Sequence, residues 1–75
     1  MGAQEYGFVV IIEQVGDGDH FSAYVPDVPG CISTGHSFAE ARETIRVALR
    51  VHLTALRRED QPAPRARTRA EYVVL

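Results

Sequence analysis

The sequence predicts an α+β domain of order β-β-β-α-β, in which a mixed four-stranded sheet of strand order 3-2-1-4 carries one helix on one face. Three observations lead there. A dense β-branched and aromatic run at residues 6–14 (YGFVVIIEQ) is followed, after a turn containing Asp17-Gly18, by the alternating segment 20–25, which is the pattern of a hairpin. A long stretch of helical periodicity occupies residues 38–58, and the apolar segment 71–75 (EYVVL) again reads as a strand. A right-handed crossover through the helix sets that last strand parallel to the first.

Seventy-five residues make one domain, near the lower limit for a core without staples, so association with copies or partners is an expected source of stability. A net charge of -2 argues against a protein that coats nucleic acid. The lone Cys31 excludes an internal disulfide, and no apolar run approaches a membrane span. With no signal-peptide layout at the start, the expectation is a soluble, cytoplasmic protein.

Residues 1–5 carry no pattern and read as a lead-in. In strand one, Phe8, Val10 and Ile12 point to one face while Val9 and Ile11 point to the other, so both faces call for cover. In the returning strand, Phe21, Ala23 and Val25 share a face opposite His20, Ser22 and Tyr24. Residues 24–38 (YVPDVPGCISTGHSF) then form a shaped elbow. Pro26 and Pro29 push Val25 and Val28 toward extended conformations, Gly30 takes φ > 0 at little cost, and Asp27 lies between the prolines. A short third strand over 31–34 ends at Gly35, and Ser37 followed by Glu40 has the spacing of a capping box.

On the helix, Phe38, Ala41, Ile45, Leu49, His52 and Leu56 fall within roughly 40° of Ile45, a broad core-facing stripe. Arg42, Arg46, Arg50 and Arg57 gather on one flank. Residues 59–70 (EDQPAPRARTRA) contain two prolines and little apolar mass and read as a linker within the single domain 1–75. One helix covers one sheet face. The other, with Val9, Ile11 and Tyr24, is left as an expected oligomer surface, dimeric or tetrameric.

Residues 21–53, FSAYVPDVPGCISTGHSFAEARETIRVALRVHL, resemble the N-terminal domain of the HicB family of bacterial antitoxins. The motif that carries the resemblance is V-P-D-x-P-G-C-x-S-x-G, with Pro26, Asp27, Pro29, Gly30, Cys31 and Gly35 at fixed spacing, then the helix capped by Ser37 and Glu40. Glu13 and the EYVVL segment extend the likeness over nearly the whole chain. The resemblance implies a truncated ribonuclease-H-like fold and a partner, the HicA toxin, a small protein of double-stranded-RNA-binding-like fold that cleaves messenger RNA with a histidine. Docking of the antitoxin blocks the toxin's active site. Many members add a C-terminal DNA-binding domain; here the sequence stops at Leu75, so promoter binding by this chain alone is not expected.

The acids that serve to steer a basic toxin are Glu13, Asp17, Asp19 and Asp27, while Arg46 and Arg50 offer the opposite sign for an acidic partner. A rival reading is an orphan oligomeric domain with a different protein partner. The remote rival is a metal-dependent nuclease built on Glu13, Glu40 or Glu43, and Glu71, against which Glu40 and Glu43 are already explained by the helix start. His20, His36 and His52 lack metal-site spacing, and no cofactor, metal or catalytic group is expected. Cys31 reads as a small buried hydrophobe and His52 as a core-edge histidine.

Overall fold

The computed structural model describes residues 7–75 and contains three strands and one helix: β1 (Ile11–Gln14), β2 (Phe21–Tyr24), β3 (Ile32–Gly35) and α1 (Phe38–Arg58). The strands form an antiparallel sheet of order β1-β2-β3. The four-stranded mixed sheet of order 3-2-1-4 expected from the sequence is therefore corrected, because among the described residues 71–75 pair with no strand. Tyr72, Val73, Val74 and Leu75 are 72% or more exposed. Local composition favours an extended strand there, but pairing is a tertiary event, and the chain is led elsewhere first. Residues 67 and 68 are held at the elbow by Asp27.

β1 is shorter than the expected run from residue 6, and residue 6 itself lies outside the described residues. The reason is the partner strand. Val15 N–H donates to the His20 carbonyl, and the register places Ile11 opposite Tyr24, so the positions of β2 that bond toward β1 are His20, Ser22 and Tyr24. The next such position is Pro26, which has no N–H to give. The ladder stops there.

Beyond β2, Val28 N–H donates to the Val25 carbonyl at 3.1 Å, and Cys31 N–H donates to the Val28 carbonyl at 3.1 Å, giving two successive turns. Each has proline at its second position, and Gly30, with φ 87°, supplies the left-handed third position that a type II turn requires. The elbow thereby folds Val28 and Cys31 inward, where they join Phe21, Ala23, Val25, Ala41 and Ile45 in the buried core. The alternation within β2 is seen directly: Phe21 and Ala23 face the helix, Tyr24 faces away. Phe8, Val10 and Ile12 pack against the same core from β1 and the residues preceding it.

The helix begins as its sequence indicates. Ser37 Oγ accepts from Glu40 N–H at 3.0 Å, while Glu40 Oε1 reaches one residue further back than a standard capping box and accepts from His36 N–H. The first turn sits directly on Gly35, whose missing side chain is what permits the approach: a Cβ there would lie 2.6 Å from Ala41 N. Ser33 and Thr44 hydroxyls lie 3.0 Å apart and Thr44 Oγ1 donates to the Thr34 carbonyl at 2.8 Å, so α1 is fastened to β3 by polar contacts as well. At the other end, Asp60 adopts φ 57° while Gln61 N–H donates to the Leu56 carbonyl and Asp60 N–H to the Arg57 carbonyl, a Schellman termination without glycine.

Only Ala41 and Ile45 of the helix are fully buried. Twenty-one residues of helix run ~31 Å, whereas strands of four residues run ~13 Å. The helix overshoots the sheet, and the expected broad stripe is buried only over its first half. Phe38, at the head of the stripe, is 55% exposed and rests its ring on Phe21 with centroids 4.5 Å apart.

Replacing Gly35 by alanine forces the helix start away from β3 and is expected to cost about 1–3 kcal/mol, as overpacking does. The check is the urea midpoint of unfolding at unchanged slope. Gly18→Ala, which meets nothing within 4 Å, serves as the comparison and should move the midpoint little.

Candidate partner-binding surface

Two surfaces emerge from this arrangement, one charged and one apolar. The charged surface is built by the hairpin tip and the helix start. Glu13, at the outer end of β1, and Asp17 and Asp19, in the turn, are all exposed. His36 links the tip to the helix: its Nδ1 lies 3.3 Å from the Asp19 carbonyl, and its backbone N–H is held by Glu40. Glu40 and the exposed Glu43 thus stand at the same end as the hairpin acids. This joining of Glu40 to the acidic end is not visible in the spacing of the sequence.

Asp27 does not belong to that end. It sits in the elbow, and its carboxylate is already used: Oδ2 accepts from the N–H groups of Arg67 and Thr68, each at 2.8 Å, and Oδ1 accepts from Thr68 Oγ1 at 2.6 Å. The Thr68 hydroxyl, before the two amides, holds the Asp27 carboxyl below its ordinary value. Asp27 is a clip for the segment after the helix. Its role rests on a partner 41 residues away, which no local pattern signals.

The basic flank is divided. Arg46 pairs with Glu43 at 3.2 Å in a solvent-exposed i, i+3 bridge. Arg46, Arg50 and Arg57 rim an open groove of about 570 Å³ whose floor is Leu49, Leu53 and Leu56, the overshooting part of the helix. The acidic and basic ends therefore lie at opposite ends of α1.

The apolar surface is the sheet face away from the helix. Cross-strand register places Ile11, Tyr24 and Ile32 together there, with Glu13, Ser22 and Thr34 at the other end. Val9 continues the Ile11 side by alternation and is partly buried. Tyr24 is 41% and Ile32 71% exposed. Ile32 is absent from the residues singled out by sequence, though its place in the alternation of β3 was available to find it.

Pro26, Pro29 and Gly30 shape the elbow, and Cys31 is 3% exposed within it, with burial pushing its thiol pKa up. Such a thiol is a packing group rather than a nucleophile. His52 Cε1 lies against the Gly30 position and is partly buried. The acids proposed for a nuclease do not converge: Glu40 serves the helix start, and Glu71 lies 3.7 Å from Arg69 in the tail. Among the described residues no three His, Cys, Asp or Glu are grouped to hold a metal ion, and no helix is long and apolar enough to cross a membrane.

Known proteins give this geometry a context. The family described as "HicB_like antitoxin of bacterial toxin-antitoxin system" matches residues 8–74. A UPF0150 protein of Synechocystis is 36% identical over 62 residues, covering 83% of this chain and 77% of the relative. A UPF0150 protein of Thermoplasma acidophilum is 33% identical, with 77% of this chain and 83% of the relative covered. An uncharacterized 14.9 kDa protein from the rep-hol intergenic region of Haemophilus phage HP1 is 32% identical over 88% of this chain, which spans about half (48%) of that protein's length. No solved structure matches the chain at a significant level.

The clip carries a pH dependence of fixed sign. Because the Asp27 pKa is lowered on folding, its contribution is fully present above the ordinary value of 3.8 and is lost as pH falls through the lowered value. The Thr68 amide resonance should therefore titrate with a midpoint below 3.8. At neutral pH, Asp27→Ala should release the segment and speed tryptic cleavage at Arg65, Arg67 and Arg69, with helix content by circular dichroism unchanged.

Proposed function

This chain belongs to the HicB-like antitoxin family of bacterial toxin–antitoxin systems, and from that premise we propose that it binds a small, RNA-cleaving HicA-type toxin and silences it by covering the toxin's active site. The observation that carries the proposal is the family match across residues 8–74, which takes in all three strands, the elbow and the helix. Family membership implies a role in binding rather than catalysis.

The charge distribution supports a way of docking. A protein that grips RNA presents cations to phosphates, since phosphate contacts dominate such binding. The end formed by Glu13, Asp17, Asp19, Glu40 and Glu43 offers carboxylates to the same cations. It steers the encounter and competes directly with RNA. Asp27, already satisfied by Thr68, takes no part in this docking. The arginine-rimmed groove is of the wrong sign for a basic toxin and stays clear of it.

Two measurements test this. Mixing the protein with the toxin encoded beside it should give a complex on a sizing column and abolish RNA cleavage; free cleavage with no complex would overturn the reading. Asp17→Lys combined with Asp19→Lys should slow association about tenfold at low salt, with the difference shrinking as salt rises. An unchanged association rate would move the docking surface away from the hairpin end.

A further inference from the structure

We infer that residues 71–75 of one chain add as a strand to the open rim of β1 in a second copy, so that the two chains exchange tails and complete each other's sheets. This goes beyond inhibition of a toxin and does not rest on it.

The tail has the makings of a strand and no sheet of its own. Tyr72 and Val74 lie on one side and Val73 and Leu75 on the other, the pattern of a strand covered on both faces. Tyr72 is 93%, Val73 72% and Val74 80% exposed, and among the described residues no backbone hydrogen bond engages 69–75. Four adjacent large apolar side chains held in water, with unpaired backbone beside them, are a template for pairing with another chain. The Asp27 clip sets where the tail leaves: at the elbow, just past the Tyr24 end of β2, with Tyr72 to Leu75 exposed beyond it.

The sheet, for its part, has two edges, and they are not equivalent. On β3 the outward-facing Thr34 carbonyl already accepts from Thr44 Oγ1, and Gly35 lies under the helix start. On β1 the ladder alternation sends the N–H and C=O groups of Ile12 and Gln14 outward, since Glu13 and Ile11 are the positions bonded to β2. Among the described residues nothing pairs with that rim. Both faces beside it are apolar as well: Phe8, Val10 and Ile12 toward the helix, Val9 and Ile11 away from it. A strand that is apolar on both faces fits an edge that is apolar on both faces.

Reciprocity selects a second copy as the occupant. The same chain carries the orphan strand and the vacant edge, so one twofold operation satisfies both at once and closes the assembly. Each tail brings four large apolar side chains, and with the surfaces that receive them the two tails remove on the order of 1,600 Å² from water, the size of a standard specific interface. Strand addition of this kind draws its affinity from main-chain hydrogen bonds and its register from alternate side chains.

The test uses the whole chain without toxin. Light scattering should give a mass of two chains or a multiple of two. In a sample mixed from isotope-labelled and unlabelled chains, isotope-filtered NOEs should join Tyr72–Leu75 of one chain to Ile12–Gln14 of the other. Val73→Asp with Val74→Asp, at positions 72% and 80% exposed within the chain, should yield monomer and raise the exchange rates of the Ile12 and Gln14 amides at least tenfold. A wild-type monomer, an oligomer that survives the double substitution, or filtered NOEs from the tail to Leu49 and Leu53 of the helix groove would each overturn the inference. Toxin inhibition that fails while the tail NOEs persist removes only the antitoxin reading.

Discussion

The structure turns on a mismatch of lengths. A helix of twenty-one residues lies over strands of four, and it is anchored to them at one end only, where its first turn rests on Gly35 and its Thr44 hydroxyl reaches the Thr34 carbonyl. The core is consequently confined to the first half of the helix, around Ala41 and Ile45. The second half extends past the sheet, leaving Leu49, Leu53 and Leu56 half-covered and the arginines of the flank around them. The chain beyond the helix must then return from a point well outside the sheet, and it does so only as far as Asp27.

From this constraint the two charged surfaces follow. The anchored end collects acids, because helix starts favour carboxylates and the hairpin turn is built from aspartates. The free end collects arginines and an apolar floor. Such a molecule has opposite charge at its two poles despite a net charge of only -2, so the overall figure conceals the feature that matters for recognition. Among the described residues the thiol of Cys31 is buried and no three His, Cys, Asp or Glu are grouped to hold a metal ion.

What was legible in the sequence was whatever is decided locally. Ser37 and Glu40 mark the helix start because both bonds close within four residues. The elbow reads correctly as geometry, since Pro26, Pro29 and Gly30 restrict their own dihedrals and do not depend on distant partners. The facing of β2 follows from its alternation. What stayed hidden depends on contacts between distant segments: the Asp27 clip, the Ser33–Thr44 contact, and the His36 link that brings Glu40 to the hairpin end. The EYVVL segment shows the division most clearly. Its composition gives an extended strand, but nothing in it says whose sheet it joins, and the expectation that it would pair with its own β1 was wrong. The helix ends at Arg58 as its periodicity indicates, although the left-handed position that closes it is filled by Asp60 and not by glycine.

A small domain with a half-covered helix, an open sheet edge and an exposed apolar tail has the surfaces through which, on the strand exchange proposed above, a second chain would add to its stability. The concentration dependence of thermal unfolding tests that most directly, because anything that binds the folded state alone raises its midpoint by mass action. The account predicts a midpoint that rises steadily as the protein is concentrated, with the increase lost when Val73 and Val74 are both replaced by aspartate. A midpoint independent of concentration, with a single unfolding transition, would show that the chain stands alone and would contradict it.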